Sequence, residues 1–173
     1  LDNTDNMIVT GSSETVQLWD LRKMKVLHNF TELHSNDVTS VKISKQHNNL
    51  ILTASEDYLW NLLDTKESEL EDEYLEASYT SEQPLSKCNF ISNSSLAYLI
   101  SNVNTIEILD LDTMLVKSKF DCSKQSEKLE TIISAQEVDG NLLFYIGDFA
   151  GRMYIYRYNI NQAKEEVYEL YCF

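Results

Sequence analysis

The chain has 173 residues, 43% of them apolar, with one proline and four glycines. That is enough apolar material for a sizeable core, and the composition suits a globular protein. Fourteen Lys and Arg stand against 28 Asp and Glu, a net charge of −14; a field of that sign repels phosphate backbones and anionic lipid, attracts basic partners and keeps a β-rich protein soluble.

In chain order, Leu1–Asn6 is polar and reads as a loop. Met7–Thr10 is a short apolar run, which Gly11-Ser12-Ser13 turns into the alternating run Thr15–Trp19. Period-two alternation is the pattern of a strand with two different faces. Asp20–Lys23 makes a polar corner into Lys25–Phe30, a weakly alternating outer strand. This first unit lacks an innermost strand. Glu32–Asp37 links it to a second unit: residues 38–43, a turn at Gln46–Asn49, and Leu50-Ile51-Leu52, whose continuity predicts burial on both faces. The tight turn Ser55–Asp57, the strand Tyr58–Leu63 and an outer strand at Tyr74–Thr80 complete it. Trp60 and Leu62 fall on one side, where they are expected to pack between neighbouring sheets.

Pro84, just before a strand, costs no ladder hydrogen bond. Leu85–Ser92 carries Cys88 and Phe90 on one side; Ser92–Ser95 turns into the buried run Leu96–Ile100. Thr105–Leu109, a corner at Asp110–Thr113 and the outer strand Leu115–Phe120 follow, with Lys117 and Lys119 flanking Ser118 as on an exposed edge. After the polar link Asp121–Glu130, Thr131–Val138 and Leu142–Ile146 are joined at Asp139-Gly140-Asn141, a strong hairpin signal. Gly147–Gly151 turns into Met153–Tyr158, whose Tyr154, Tyr156 and Tyr158 share a face. Asn159–Lys164 reads as a loop and Val167–Phe173 as a last strand.

The residue closing each third strand is Asp20, Asp64, Asp110 and Arg157, at intervals of 44, 46 and 47 residues. The stretches ending there are Gly11-Ser-Ser-Glu-Thr-Val-Gln-Leu-Trp-Asp20, Ser55-Glu-Asp-Tyr-Leu-Trp-Asn-Leu-Leu-Asp64, Ser101-Asn-Val-Asn-Thr-Ile-Glu-Ile-Leu-Asp110 and Asp148-Phe-Ala-Gly-Arg-Met-Tyr-Ile-Tyr-Arg157. Self-similarity at a fixed period marks a repeat protein.

At these residues the chain resembles the WD-repeat family of β-propellers, with a repeat of roughly 40–45 residues and four strands per blade. Trp19-Asp20 is an intact Trp-Asp dipeptide, and Leu33-His34 stands where the family has Gly-His, 30 residues before Asp64. In that family a His, a Ser or Thr, an Asp and a Trp hydrogen-bond across a blade. The resemblance therefore implies a structural network of His34, Thr53 or Ser55, and Asp57, incomplete because Leu63 replaces the Trp. The third and fourth copies lack the His and the turn Asp. The acidic insert after Asp64, followed by a Ser-rich strand, is also similar to the WD-repeat protein 89 group. The resemblance spans nearly the whole chain and is specific over its first third. It implies an all-β partial β-propeller, one domain over 1–173, of about four WD-type blades (7–30, 37–80, 84–122, 128–173), each with three to four antiparallel strands. WD propellers usually have near seven blades and this chain opens on Leu1 within a blade, so a longer protein is expected; the alternative is a four-blade ring or open arc.

The acidic loop 66–76 holds Glu67, Glu69, Glu71, Asp72, Glu73 and Glu76. Like charges so close favour an open loop, which either docks a basic partner or is simply solvated. It lacks the alternating Asp/Asn and central Gly of a Ca²⁺ loop. Cys88, Cys122 and Cys172 form no Cys-x-x-Cys pair, which leaves zinc unsupported. They read as small buried hydrophobes of a reducing compartment, cytoplasm or nucleus. No apolar run reaches the ~18 residues of a membrane span. Neither a Gly-x-x-x-x-Gly-Lys loop nor a Gly-x-Ser-x-Gly elbow occurs. Of the histidines, His28 falls in an outer strand, His47 in a turn, and His34 in the structural network. No catalytic residue, cofactor or metal site is expected. The reading is a non-catalytic protein–protein interaction scaffold or complex subunit. Its expected partners are other proteins, some with basic segments, and remaining blades, without nucleic acid or membrane. The alternative, a divergent propeller enzyme or an accessory subunit of one, requires polar side chains of several blades to converge in one pocket with perturbed pKa values.

Overall fold

Alternating and continuous apolar runs of six to eight residues fold as strands along the whole chain. The computed structural model describes residues 6–46, 49–65, 74–122, 131–162 and, as backbone alone, 164–170. The first sheet holds β1 (Met7–Ser12), β2 (Thr15–Asp20) and β3 (Lys25–Phe30). The second holds β4 (Val38–Ile43), β5 (Leu50–Ser55), β6 (Leu59–Asp64) and β7 (Leu75–Thr80). The third holds β8 (Leu85–Phe90), β9 (Leu96–Ser101), β10 (Thr105–Asp110) and β11 (Leu115–Asp121). The fourth holds β12 (Thr131–Val138), β13 (Asn141–Gly147), β14 (Met153–Asn159) and β15 (Lys164–Leu170). Each is an antiparallel meander in chain order, and the first has three strands where the others have four. The architecture is an all-β partial propeller. β15 begins where a loop was expected, because the β14 ladder continues through Arg157↔Glu166 to Asn159↔Lys164.

The copies share irregularities as well as strands. The first strand of each four-stranded sheet bulges just after its start, at Val38/Ser40, Leu85/Lys87 and Ile132/Ser134. The pairing of the last two strands in each of the first three sheets shifts at Leu18/Trp19, Leu62/Leu63 and Ile108/Leu109. Bulges increase local twist, and their recurrence gives successive sheets the same shape. The corners after β2 and β10 are alike too. Asp20 Oδ1 accepts the amides of Arg22 (2.9 Å) and Lys23 (3.3 Å), and Asp110 Oδ1 those of Asp112 (3.1 Å) and Thr113 (3.2 Å). Met24 and Met114 then take positive φ, 49° and 56°.

The core is three slabs between successive sheets. Val16, Leu18 and Phe30 meet Ile43, Ile51 and Leu63. Leu52, Trp60 and Leu62 meet Leu85, Cys88, Leu99 and Leu109. Ile100, Ile106, Ile108 and Phe120 meet Ile132, Phe144, Tyr154 and Tyr156. Trp60 thus packs between sheets, and stacks on Tyr79 across the ladder with ring centroids 5.2 Å apart. The first and second sheets approach closely at Gly11: a Cβ there would lie 2.6 Å from Val38 Cγ1.

Candidate functional site

The loop entering the second sheet meets that sheet's β5–β6 turn through a buried imidazole. His34 Nδ1 lies 3.0 Å from Asp57 Oδ2, and Nε2 lies 2.8 Å from Thr53 Oγ1. Carboxylates only accept, so Nδ1 carries the proton and donates to Asp57, leaving Nε2 to accept from the Thr53 hydroxyl. Asp57 also accepts the amides of Ser35 (2.8 Å) and Leu59 (2.9 Å), which ties loop and turn to one carboxylate. Ser55 does not touch the ring; its hydroxyl donates to the Asn36 carbonyl at 3.2 Å and accepts the Asp57 amide at 3.1 Å. Burial pushes His34 below its ordinary 6.5, with the nearby Asp57 charge opposing only in part. Burial would raise Asp57, but the Ser35 and Leu59 amides and the imidazole together hold it below its ordinary 3.8. The two directions agree on one state, a neutral imidazole donating to a carboxylate.

Sequence reasoning missed Asn61. Its Nδ2 donates to the Leu33 carbonyl at 3.0 Å and lies 3.3 Å from His34 Nε2. Asn61 stands three residues before Asp64, and the same position of every sheet carries a polar side chain. Gln17 donates to Asn29 at 2.9 Å in the first. Glu107 pairs with Lys119 at 3.0 Å in the third, where Lys119 also reaches Glu82 at 2.7 Å. Tyr154 donates to Asp148 at 3.3 Å in the fourth. The signal was available as a polar residue at one register in four copies.

The Trp19 indole donates to Thr10 Oγ1 at 3.2 Å, and the register pairs Thr10 with Gln17 as it pairs Thr53 with Asn61. The first sheet therefore carries the Trp–Thr half of the arrangement and the second the Thr–His–Asp half. Asp20, 3% exposed, holds its corner and pairs with Arg22 at 3.3 Å. The fourth sheet was expected to lack a turn aspartate and has one. Asp148 accepts the Arg152 amide at 2.8 Å and pairs with Arg152 Nε at 3.1 Å. It was missed because five residues separate β13 from β14 where three separate β5 from β6, which moves the aspartate off the aligned position. Lys119 is exposed on the edge strand β11, as expected, and from there it reaches Glu107.

Of the acidic stretch, Glu76 is exposed on β7; Glu67, Glu69, Glu71, Asp72 and Glu73 lie outside the described residues, as do His47 and Cys172. Cys88 and Cys122 are buried free thiols, which desolvation raises to about 12. Among the described residues no cluster of three or more His, Cys, Asp or Glu is placed to hold a metal ion, and no helix is long and apolar enough to cross a membrane.

Over 73 residues, 39% of this chain and 22% of the other, the chain is 38% identical to an uncharacterized WD repeat-containing protein of Schizosaccharomyces pombe. Over 143 residues, 82% of this chain and 35% of the other, it is 25% identical to the WD repeat-containing protein GTS1 of Arabidopsis thaliana. The chain is thus similar to WD-repeat proteins. No family model matches it. The chain spans about a fifth and a third of the lengths of these two WD relatives.

Proposed function

We propose that this chain is the blade-bearing part of a non-catalytic scaffold that binds other proteins. WD-repeat proteins generally do so, and fold alone does not name a partner. The observation that carries the reading is where the buried polar groups are spent. His34 bonds both Asp57 and Thr53, with the two ring partners on the same blade and the histidine on the loop entering it. Asp110 bonds Lys117 and Asp148 bonds Arg152, again within single blades. Groups used this way hold loops to turns and are not free to act as nucleophile, acid or base over a pocket. The charge of −14 favours partners with basic segments, with the acidic stretch 66–76 as one docking surface, and the thiol usage favours the cytoplasm or nucleus. Affinity capture with the full-length protein followed by mass spectrometry tests this. Recovery of a stable set of proteins that survives Asp57→Ala, in a variant that still folds, supports it. A hydrolytic or transfer activity lost on substituting an exposed polar residue replaces it with the enzyme reading.

A further inference from the structure

At the end of the blades that holds His34 and Asp57, the loops are hydrogen-bonded from one blade to the next. The Val38 amide donates to the Ser13 carbonyl at 2.7 Å, the Glu56 amide to the Asp37 carbonyl at 3.0 Å and the Asn102 amide to the Pro84 carbonyl at 2.8 Å. The Asn102 side chain reaches Glu56 at 3.5 Å, and the Ile132 amide donates to Asn104 at 3.1 Å. Along this rim three turn tips hold large apolar side chains out to solvent. Tyr58, 43% exposed, lies between β5 and β6; Val103, 49%, between β9 and β10; and Phe149, 94%, between β13 and β14.

The tyrosine is kept there against its backbone. Tyr58 has φ 74°, where the third-blade turn has Asn104 at 61° and the fourth Gly151 at 79°. Asn and Gly enter the left-handed region readily, whereas a bulky side chain there is strained. The Tyr58 carbonyl accepts the Ser81 amide at 2.7 Å, which fixes the residue in place. Its ring belongs to none of the three core slabs, so neither turn geometry nor packing accounts for it.

The same rim carries Glu14, Glu32 and Asp37, all exposed, and the half-buried Glu56. No described cation lies within ion-pair distance of any of the four. The described cations of these loops and the adjoining strand ends are already engaged. Lys87 donates to the Ile133 carbonyl at 3.0 Å, Lys119 pairs with Glu82 and Glu107, and Arg152 pairs with Asp148.

We propose that this rim binds a segment of a partner protein that carries arginine among apolar side chains. Two features select that chemistry together. Unpaired carboxylates call for a cation, and exposed aromatic rings accept a guanidinium on their faces as well as apolar contact. Arginine serves both, since its planar fork pairs with carboxylates and stacks on rings. A second copy of this chain would set the same carboxylates against each other, and like charges across an interface oppose association. A further blade would cover a sheet face and leave the turn tips free. This deepens the scaffold reading and rests on it.

The test is fluorescence anisotropy on the full-length protein with a short labelled peptide of Arg and Leu separated by Ser. Two companion peptides carry Gln at every Arg or Ser at every Leu, and both bind more weakly. The double variant Tyr58→Asn/Phe149→Ser weakens binding of the Arg–Leu peptide about tenfold, roughly 1.4 kcal/mol. Neither substitution changes the net charge, so the general attraction of an acidic chain for a basic peptide cannot produce that loss. Asn relieves the strain at position 58, so the melting temperature does not fall. If it does fall, Phe149→Ser alone takes its place, with a loss of several-fold expected. Leu115→Ser, which removes an exposed apolar side chain at the other end of the blades, leaves affinity unchanged. Equal affinity for the Arg–Leu peptide and either companion, or unchanged affinity in the variant that folds, overturns the proposal. Affinity capture is read separately, so a failed peptide and a failed scaffold are told apart.

Discussion

His34 carries stability through its neutral form, and that fixes the sign of its pH dependence. Burial lowers its folded pKa, so the unfolded chain takes up a proton first as pH falls. The contribution is fully present above about 6.5 and declines as pH drops through that value. Asp57 is also lowered, so its contribution holds above about 3.8 and is lost only in stronger acid. The full-length protein should therefore show a stability gap between wild type and His34→Gln that narrows from about pH 7.5 to about pH 5.5, read from urea melts; a constant gap would remove the imidazole from the account. Asp57→Ala leaves the Ser35 and Leu59 amides and the imidazole without their acceptor. Losing one partner of a buried bond costs about 1–3 kcal/mol, so the melting temperature should fall while partners are still captured by the folded fraction. Loss of capture at an unchanged melting temperature would make Asp57 a binding residue instead.

At the scale of the element, the blades are held apart by fixed distances and punish added volume. Gly11 needs no special backbone angle; it is glycine because Val38 stands against it from the next blade, and valine is stiff at χ1. Gly11→Ala should cost about 1–3 kcal/mol, with much of the loss recovered in the double variant with Val38→Ala; additive losses in a double-mutant cycle would refute the contact. Leu63 shows why the family's tryptophan is not simply missing. It is fully buried between the first two blades among Val16, Ile51 and Tyr74, whereas Trp19 is half-buried on a face no described slab covers. Leu63→Trp should therefore destabilise by about 1–3 kcal/mol through overpacking rather than gain a hydrogen bond to Thr53, as a melt will show. The strands themselves were legible, because period-two runs recur in four copies spaced 44–47 residues apart. Asn61 and Glu107 share a visible register, but their burial was not legible, since alternation sends a polar residue between apolar ones to solvent, and blades buried on both faces break that rule. Met24 and Met114 were hidden for a different reason: methionine is no turn residue, and the aspartate four positions earlier sets the corner.

For the whole molecule, repeat symmetry says what the two outer faces are built to do. Tyr145, Met153 and Ile155 occupy, in the fourth blade, the registers that Leu52, Trp60 and Leu62 occupy in the second, where they are buried against the third. In the fourth blade they are only half-buried and belong to none of the three core slabs. Ile8 and Trp19 hold the matching place on the first blade, at the registers of Ile51 and Leu63. A repeat array with both end faces apolar, and without polar capping, is short of solubility. Residues 1–173 expressed alone should therefore associate and bind a hydrophobic dye, and Tyr145→Glu/Ile155→Lys should reduce both. Where a further blade covers this face, the same pair should instead lower stability by several kcal/mol, because it buries unpaired charge. The opposite signs in the two contexts are the test. A monomeric, cooperative melt of residues 1–173 that this pair leaves unchanged would mean that the fourth blade ends the array as it stands.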